Sequence, residues 1–123
     1  MREIEIKAKV KDLNNLERAL DKKGVKLGDP LEQHDVVYGE PGKGDNDFGA
    51  NWLRIRTENE SKIYVTLKRS VVGHLDSIEH EIIVDDASEL EEIIKQLGFE
   101  LYSDLTKIRR KAKYGDIEIC VDD

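Results

Sequence analysis

Alternation is the feature that constrains this chain most. In a strand, successive side chains point to opposite faces, so a run that alternates charged and aliphatic residues has one ionic and one apolar side. Glu3-Ile4-Glu5-Ile6-Lys7 has this form, with Glu3, Glu5 and Lys7 on one face and Ile4 and Ile6 on the other. A half-solvated antiparallel strand would account for one such run. The pattern, however, recurs along the chain. Arg54 and Arg56 oppose Leu53 and Ile55; Tyr64, Thr66 and Lys68 oppose Ile63, Val65 and Leu67. Glu79 and Glu81 oppose Ile78, His80, Ile82 and Val84; Lys107 and Arg109 share a face within 105–111; Glu118 and Asp122 oppose Ile117, Ile119 and Val121.

Two stretches have helical spacing instead. Asp12 can cap a helix carrying Leu13, Leu16, Ala19 and Leu20 and ending at Gly24, and Ser88 with Glu91 forms a capping box ahead of Leu90, Ile93, Ile94 and Leu97, with Gly98 at its end. Glu58-Asn59-Glu60-Ser61 reads as a hairpin turn, and Gln33 to Tyr38 as a further short strand with Gln33, Asp35 and Val37 on one side. At 123 residues the chain suits one domain. Two amphipathic helices need an apolar surface, and the strands each offer one. The expected fold is therefore α+β: a curled antiparallel β-barrel with the helices packed outside and the charged faces lining its interior.

Such a lining would hold Lys7, Arg54, Arg56, Lys68, Lys107 and Arg109 beside Glu3, Glu5, Glu79, Glu81, Glu118 and Asp122. Dry burial of so many charges is costly unless they pair closely. A water-filled tunnel holding an anion and metal ions removes the objection, since Arg and Lys bind phosphate oxygens and paired carboxylates suit Mg²⁺ or Mn²⁺. An interior salt-bridge network and an inverted assignment of the faces are the alternatives.

The rest of the chain narrows the function by exclusion. A formal charge of −7 argues against general nucleic-acid binding, so any anion must be drawn by a local cluster. No apolar run approaches the length of a membrane span, and no signal-peptide profile precedes the first strand; the expected location is cytoplasmic. The single Cys120 has no partner for an internal disulfide or a zinc site and reads as filler. His34 reads as a surface residue, His74 as part of a turn and His80 as structural, and no His, Ser or Cys constellation points to covalent catalysis. Gly39 to Asn51 reads as a loop, a lid over a site or simply a turn. Gly39-x-x-Gly42-Lys43 lacks P-loop spacing, Asp45-x-Asp47-x-Gly49 lacks the remaining acids of a calcium loop, and Asp47-Phe48-Gly49 stands without the other parts of a kinase. Trp52, Tyr64 and Phe48 could each stack on a base or simply pack.

Taken in order, Glu3-x-Glu5-x-Lys7, Leu53-Arg54-Ile55-Arg56, Thr66-Leu67-Lys68, Glu79-x-Glu81, Lys107-x-Arg109 and Val121-Asp122 resemble the motifs of CYTH domains, the superfamily of class IV adenylyl cyclases and thiamine triphosphatases. The resemblance covers essentially the whole chain, 1–123 as a single domain. It implies an eight-stranded triphosphate tunnel requiring Mg²⁺ or Mn²⁺. In that picture Glu3, Glu5 and Lys7 are catalytic, and Glu3, Glu5, Glu79, Glu81 and Asp122 contribute to the metal site. Lys7, Arg54, Arg56, Lys68, Lys107 and Arg109 hold phosphates. In the family, a further acidic strand and helices follow the hydrophobic-Asp motif. This chain stops first, so the implied barrel is incomplete or completed by a partner chain, and its exposed edge favours a homodimer. Gln33-x-Asp35-x-x-Tyr38 resembles a stretch of the class IV cyclases, with one extra residue before the tyrosine. The expected ligand is a nucleoside triphosphate or tripolyphosphate. The expected activity is conversion of ATP to cyclic AMP and pyrophosphate, with triphosphate hydrolysis to orthophosphate or non-catalytic polyphosphate binding as the other readings.

Overall fold

A computed structural model describes residues 2–44, 49–72 and 76–123; for Arg2, Glu3, Val71, Val72 and Asp76 only the backbone is described. Phe48, the acids of the calcium-like run and His74 lie outside the described residues. In chain order the elements are β1 (Arg2–Ile4), α1 (Leu13–Lys22), β2 (Leu31–Gly39), β3 (Asn51–Glu58), β4 (Lys62–Val72), β5 (Asp76–Val84), α2 (Ser88–Gln96), β6 (Glu100–Tyr114) and β7 (Ile117–Asp122).

The described strands form one curled, seven-stranded antiparallel sheet in the order β1-β5-β4-β3-β2-β6-β7. It is the expected α+β antiparallel architecture, left open between β1 and β7 rather than closed as an eight-stranded tunnel. The three-residue β3–β4 connection, Asn59 to Ser61, turns on Asn59 and Glu60, both at positive φ (49° and 60°), with the Ser61 N–H donating to the Glu58 carbonyl at 3.1 Å. Asn59 also ties that turn to β2: its N–H donates to the Glu32 carbonyl at 2.8 Å, and its Oδ1 accepts from the Glu32 N–H at 3.0 Å.

The apolar residues gather on the convex side. Val36, Ile55 and Val65 stand opposite one another across β2, β3 and β4. Tyr38, Ile55 and Val65 join Ile94 of α2 in the buried core, flanked by Leu90, Phe99 and Val84. The nine-residue α2 meets the curved sheet through Leu90 and Ile94, leaving Ile93 and Leu97 54% and 70% exposed, so the expected four-residue stripe is only half used. Its start also differs from the capping box read from the sequence. Asp86 Oδ1 accepts from both the N–H and the Oγ of Ser88 at 2.8 Å, making Ser88 the first helical residue. α1 begins as expected, with Asp12 Oδ1 accepting from the Asn15 N–H at 3.1 Å, and is held to β6 by Arg110 Nη1 on Glu17 at 3.0 Å.

The first strand is shorter than the alternation predicts. β1 runs antiparallel to β5 with Arg2 opposite Ile78, Glu3 opposite Ser77 and Ile4 opposite Asp76. The described pairing of β1 ends at Ile4. Glu5, Ile6 and Lys7 continue past the sheet, with Ile6 82% exposed.

Candidate functional site

The concave face is built from cross-strand rows. Asp35 of β2, Arg56 of β3, Tyr64 of β4 and Ile83 of β5 stand in one row; Val37, Arg54, Thr66 and Glu81 form the next; Gly39, Trp52, Lys68 and Glu79 the one beyond. On the other side of β2, Gln33 faces Lys107 of β6, and Arg109 faces Asp122 of β7. Because residues i and i+2 lie about 7 Å apart along a strand, β3 presents Trp52, Arg54, Arg56 and Glu58 at regular steps on this face.

A chain of charges crosses the floor. Arg56 Nε and Nη2 donate to the two Asp35 carboxylate oxygens at 2.7 and 2.8 Å. Lys107 Nζ lies 3.7 Å from Asp35 and 3.3 Å from Asp122, and Arg109 grips Asp122 in the same two-pronged way at 2.7 and 2.8 Å. The Asp35 and Arg56 side chains are only 7% and 9% exposed, the regime in which ion pairing must offset desolvation. Burial alone would raise the Asp35 pKa, but the Arg56 guanidinium, aided by Lys107 and Arg54, brings it below the usual carboxylate value. The bonded Arg109 holds Asp122 down at about 2. Burial, then the adjacent Arg109, lowers Lys107.

Both carboxylates are depressed, so their contribution to stability is complete above about pH 4, the unfolded carboxylate range, and is lost as pH falls towards their folded values. The stability difference between the protein and its Asp122→Asn variant, from urea midpoints, is expected to be constant from pH 7 to about pH 4. It should shrink towards zero as pH 2 is approached; shrinkage already above pH 5 would contradict the assignment.

Arg54 has a different environment. Its Nε is buried and has no hydrogen-bond partner among the described residues. Burial, then the like charge of Arg56, lowers its pKa, opposed by Asp35, Glu79 and Glu81, but a guanidinium stays charged. Lys68 stands opposite Glu79, and Glu81 Oε1 accepts from Thr66 Oγ1 at 2.7 Å.

The structure thus gathers Arg54, Arg56, Lys68, Lys107 and Arg109 on one face. Glu5 and Lys7 lie off the sheet, 3.4 Å from each other, with the Lys7 side chain 87% exposed. Glu3 is placed by register opposite Ser77, and its side chain lies outside the described residues. Asp122 is occupied by Arg109 and Lys107. Among the described residues, no three His, Cys, Asp or Glu side chains assemble as a metal site. Glu79 and Glu81 remain as two carboxylates on one strand, a donor set that suits Mg²⁺ held jointly by protein and substrate phosphates rather than a closed protein cage. Asp35, Gln33 and Glu58 line the same face; the sequence singled out Gln33 and Asp35 only within the cyclase-like Gln33-x-Asp35-x-x-Tyr38 stretch, without a role, and did not single out Glu58. Gln33 is fully buried; its Nε2 donates to Glu58 at 2.7 Å, while its Oε1 has no partner among the described residues. The available signal was the strand face shared by Gln33 and Asp35.

The family model described as CYTH domain matches residues 1–123. The chain belongs to the CYTH domain family. A CYTH relative from Methanocaldococcus jannaschii, named "Putative adenylate cyclase MJ0240", is 34% identical over 127 aligned positions covering all of this chain and 70% of its own. Among solved structures, the PH1012 protein of Pyrococcus horikoshii superposes with a TM-score of 0.81 at 27% identity, over 98% of this chain and 70% of that one. A conserved hypothetical protein of Pyrococcus furiosus superposes at 0.73 and 24% identity, over 98% and 68%, in keeping with the same fold. Among the described residues of this CYTH domain, no helix is long and apolar enough to cross a membrane.

Proposed function

We propose that the concave face binds a triphosphate and that the protein is an adenylyl cyclase-like enzyme, converting ATP to cyclic AMP and pyrophosphate. The observation that carries the binding step is the buried, unpartnered Nε of Arg54 amid other cations. A buried donor left unsatisfied is unfavourable, and a phosphate oxygen would supply its partner. Arg56 and Lys107, braced by Asp35, supply further positive charge in fixed positions. The name of the Methanocaldococcus jannaschii relative supports a cyclase over a hydrolase.

In the proposed reaction the ribose 3′-oxygen attacks the α-phosphorus in line. The new 3′-O–P bond forms, the α–β bridge breaks, pyrophosphate leaves and the 3′-hydroxyl loses its proton. The chain's own contribution is to hold the phosphate chain by Arg54, Arg56, Lys68, Lys107 and Arg109, so that charge and orientation are set before reaction. Glu79 and Glu81 would hold Mg²⁺ or Mn²⁺, which when bound screens the charge on the phosphate oxygens.

A second reading, metal-independent polyphosphate binding, is favoured by one observation: the described carboxylates make no cluster of three. Phosphorus NMR with ATP or tripolyphosphate, each with Mg²⁺ or Mn²⁺, separates the cases. Cyclic AMP and pyrophosphate from ATP are expected, with turnover lost on chelation. Orthophosphate would make the protein a triphosphatase, and shifted but unconverted phosphate resonances that survive chelation would make it a binding module.

A further inference from the structure

The concave face ends in an aromatic pair that neither the core nor the cation row uses. Trp52 lies one step along β3 from Arg54 and outside the convex hydrophobic cluster. Its ring rests on the bare backbone of Gly39, opposite it on β2: a Cβ there would fall 2.5 Å from the ring. Tyr102 reaches it edge-on, with ring centroids 4.7 Å apart and planes at 66°. Tyr102 is the residue passed over where the β2–β6 register shifts, Val37 facing Ser103 and Tyr38 facing Leu101; such irregularities re-aim side chains. The two rings line an open cavity of about 100 Å³ together with Gly39, Glu40, Lys43 and Glu100. Tyr102 is 54% exposed and Trp52 half-buried, so aromatic surface remains uncovered one step along β3 from Arg54, whose Nε has no partner among the described residues.

We infer that Trp52 and Tyr102 form the stacking platform for the planar end of a nucleoside triphosphate whose phosphates lie along Arg54 and Arg56. This rests on the triphosphate reading above and adds to it the part of the site that prefers an organic ligand to inorganic tripolyphosphate. One strand would read both halves of the ligand: an aromatic residue for the base, then two arginines for the phosphates. The cavity is smaller than the ~150 Å³ that encloses a benzene ring, so the base is seated against the platform and open on its other side. A stacked base contributes about 5- to 150-fold in affinity whatever its identity, so the platform favours nucleotides as a class, and Glu40, Lys43 and Glu100 are the polar groups that could distinguish among bases.

Trp52 is the chain's one tryptophan, so intrinsic fluorescence reports on the platform directly. The ligands are α,β-methylene-ATP, in which the reacting bridge cannot break, and methyl triphosphate, which has the phosphate chain but no base. The analogue is expected to quench Trp52 and to bind about 10-fold or more tightly than methyl triphosphate, measured by calorimetry. Trp52→Leu should remove that preference and leave methyl triphosphate affinity within about 2-fold, and Trp52→Phe should keep part of it. Equal affinity for the two ligands in the unmodified protein would overturn the platform alone, as would equal weakening of both by Trp52→Leu. Failure of both ligands to bind would overturn the triphosphate reading and this inference with it.

Discussion

Replacing Arg54 by methionine is expected to weaken tripolyphosphate binding by roughly 10²-fold while leaving the fold as stable as before or more so. The two effects have one cause. Arg54 carries a buried charge whose Nε has no partner among the described residues, so the folded protein without ligand bears the desolvation of that Nε–H without a bond to offset it. Methionine keeps most of the aliphatic stem and removes the charge. In the proposed complex the same guanidinium would make charge-assisted bonds to phosphate, and losing one to two of these would cost about 3 kcal/mol, or roughly 10²-fold. Calorimetric titration and urea denaturation of the same variant check both halves. A variant that binds normally, or one that loses several kcal/mol of stability, would show that Arg54 is a structural residue.

Asp35→Ala is expected to do the reverse, acting first on the fold. Removing this buried carboxylate strips Arg56 of both its bonds and Lys107 of one of its two counter-charges. Breaking a buried pair from one side typically costs about 3–5 kcal/mol, a large share of the ~5–15 kcal/mol that holds a domain together. Added tripolyphosphate should restore part of the loss, since an anion can replace the missing carboxylate. The increase in thermal midpoint on adding it should therefore be larger for the milder Asp35→Asn variant than for the unmodified protein. An Asp35→Ala variant that melts with the unmodified protein would mean that the Arg56 pair contributes nothing to stability.

The sequence made the strands and their two faces readable because period-two alternation is a local property. Arg54, Arg56, Lys107 and Arg109 landed on the concave face for that reason. What alternation does not contain is partner register. It continued through Glu5 and Lys7, although β1 ends at Ile4, and so placed in the sheet two residues that lie beyond it. Asp35 sits 21 positions from Arg56, and only the pairing of β2 with β3 brings them together. The same pairing separates the arginines into one bonded to a carboxylate and one whose Nε has no partner among the described residues, a difference invisible in Leu53-Arg54-Ile55-Arg56. Tyr102 meets Trp52 through a register shift in β6, which no periodicity announces. The capping box at Ser88 had the right residues, but Asp86, two positions earlier, accepts the Ser88 N–H that Glu91 would have taken, and the Glu91 N–H donates to the Ala87 carbonyl at 2.8 Å.

The most direct measurement is the nitrogen-15 NMR spectrum of the arginine Nε–H groups as tripolyphosphate is added. The Nε groups of Arg56 and Arg109 are already bonded to carboxylates, whereas that of Arg54 has no partner among the described residues. With the Arg54 resonance assigned from Arg54→Met, the expected result is a large, saturable shift of Arg54 and smaller movements of Arg56 and Arg109. Binding of tripolyphosphate with the Arg54 resonance unmoved would contradict the assignment of the concave face as the triphosphate site.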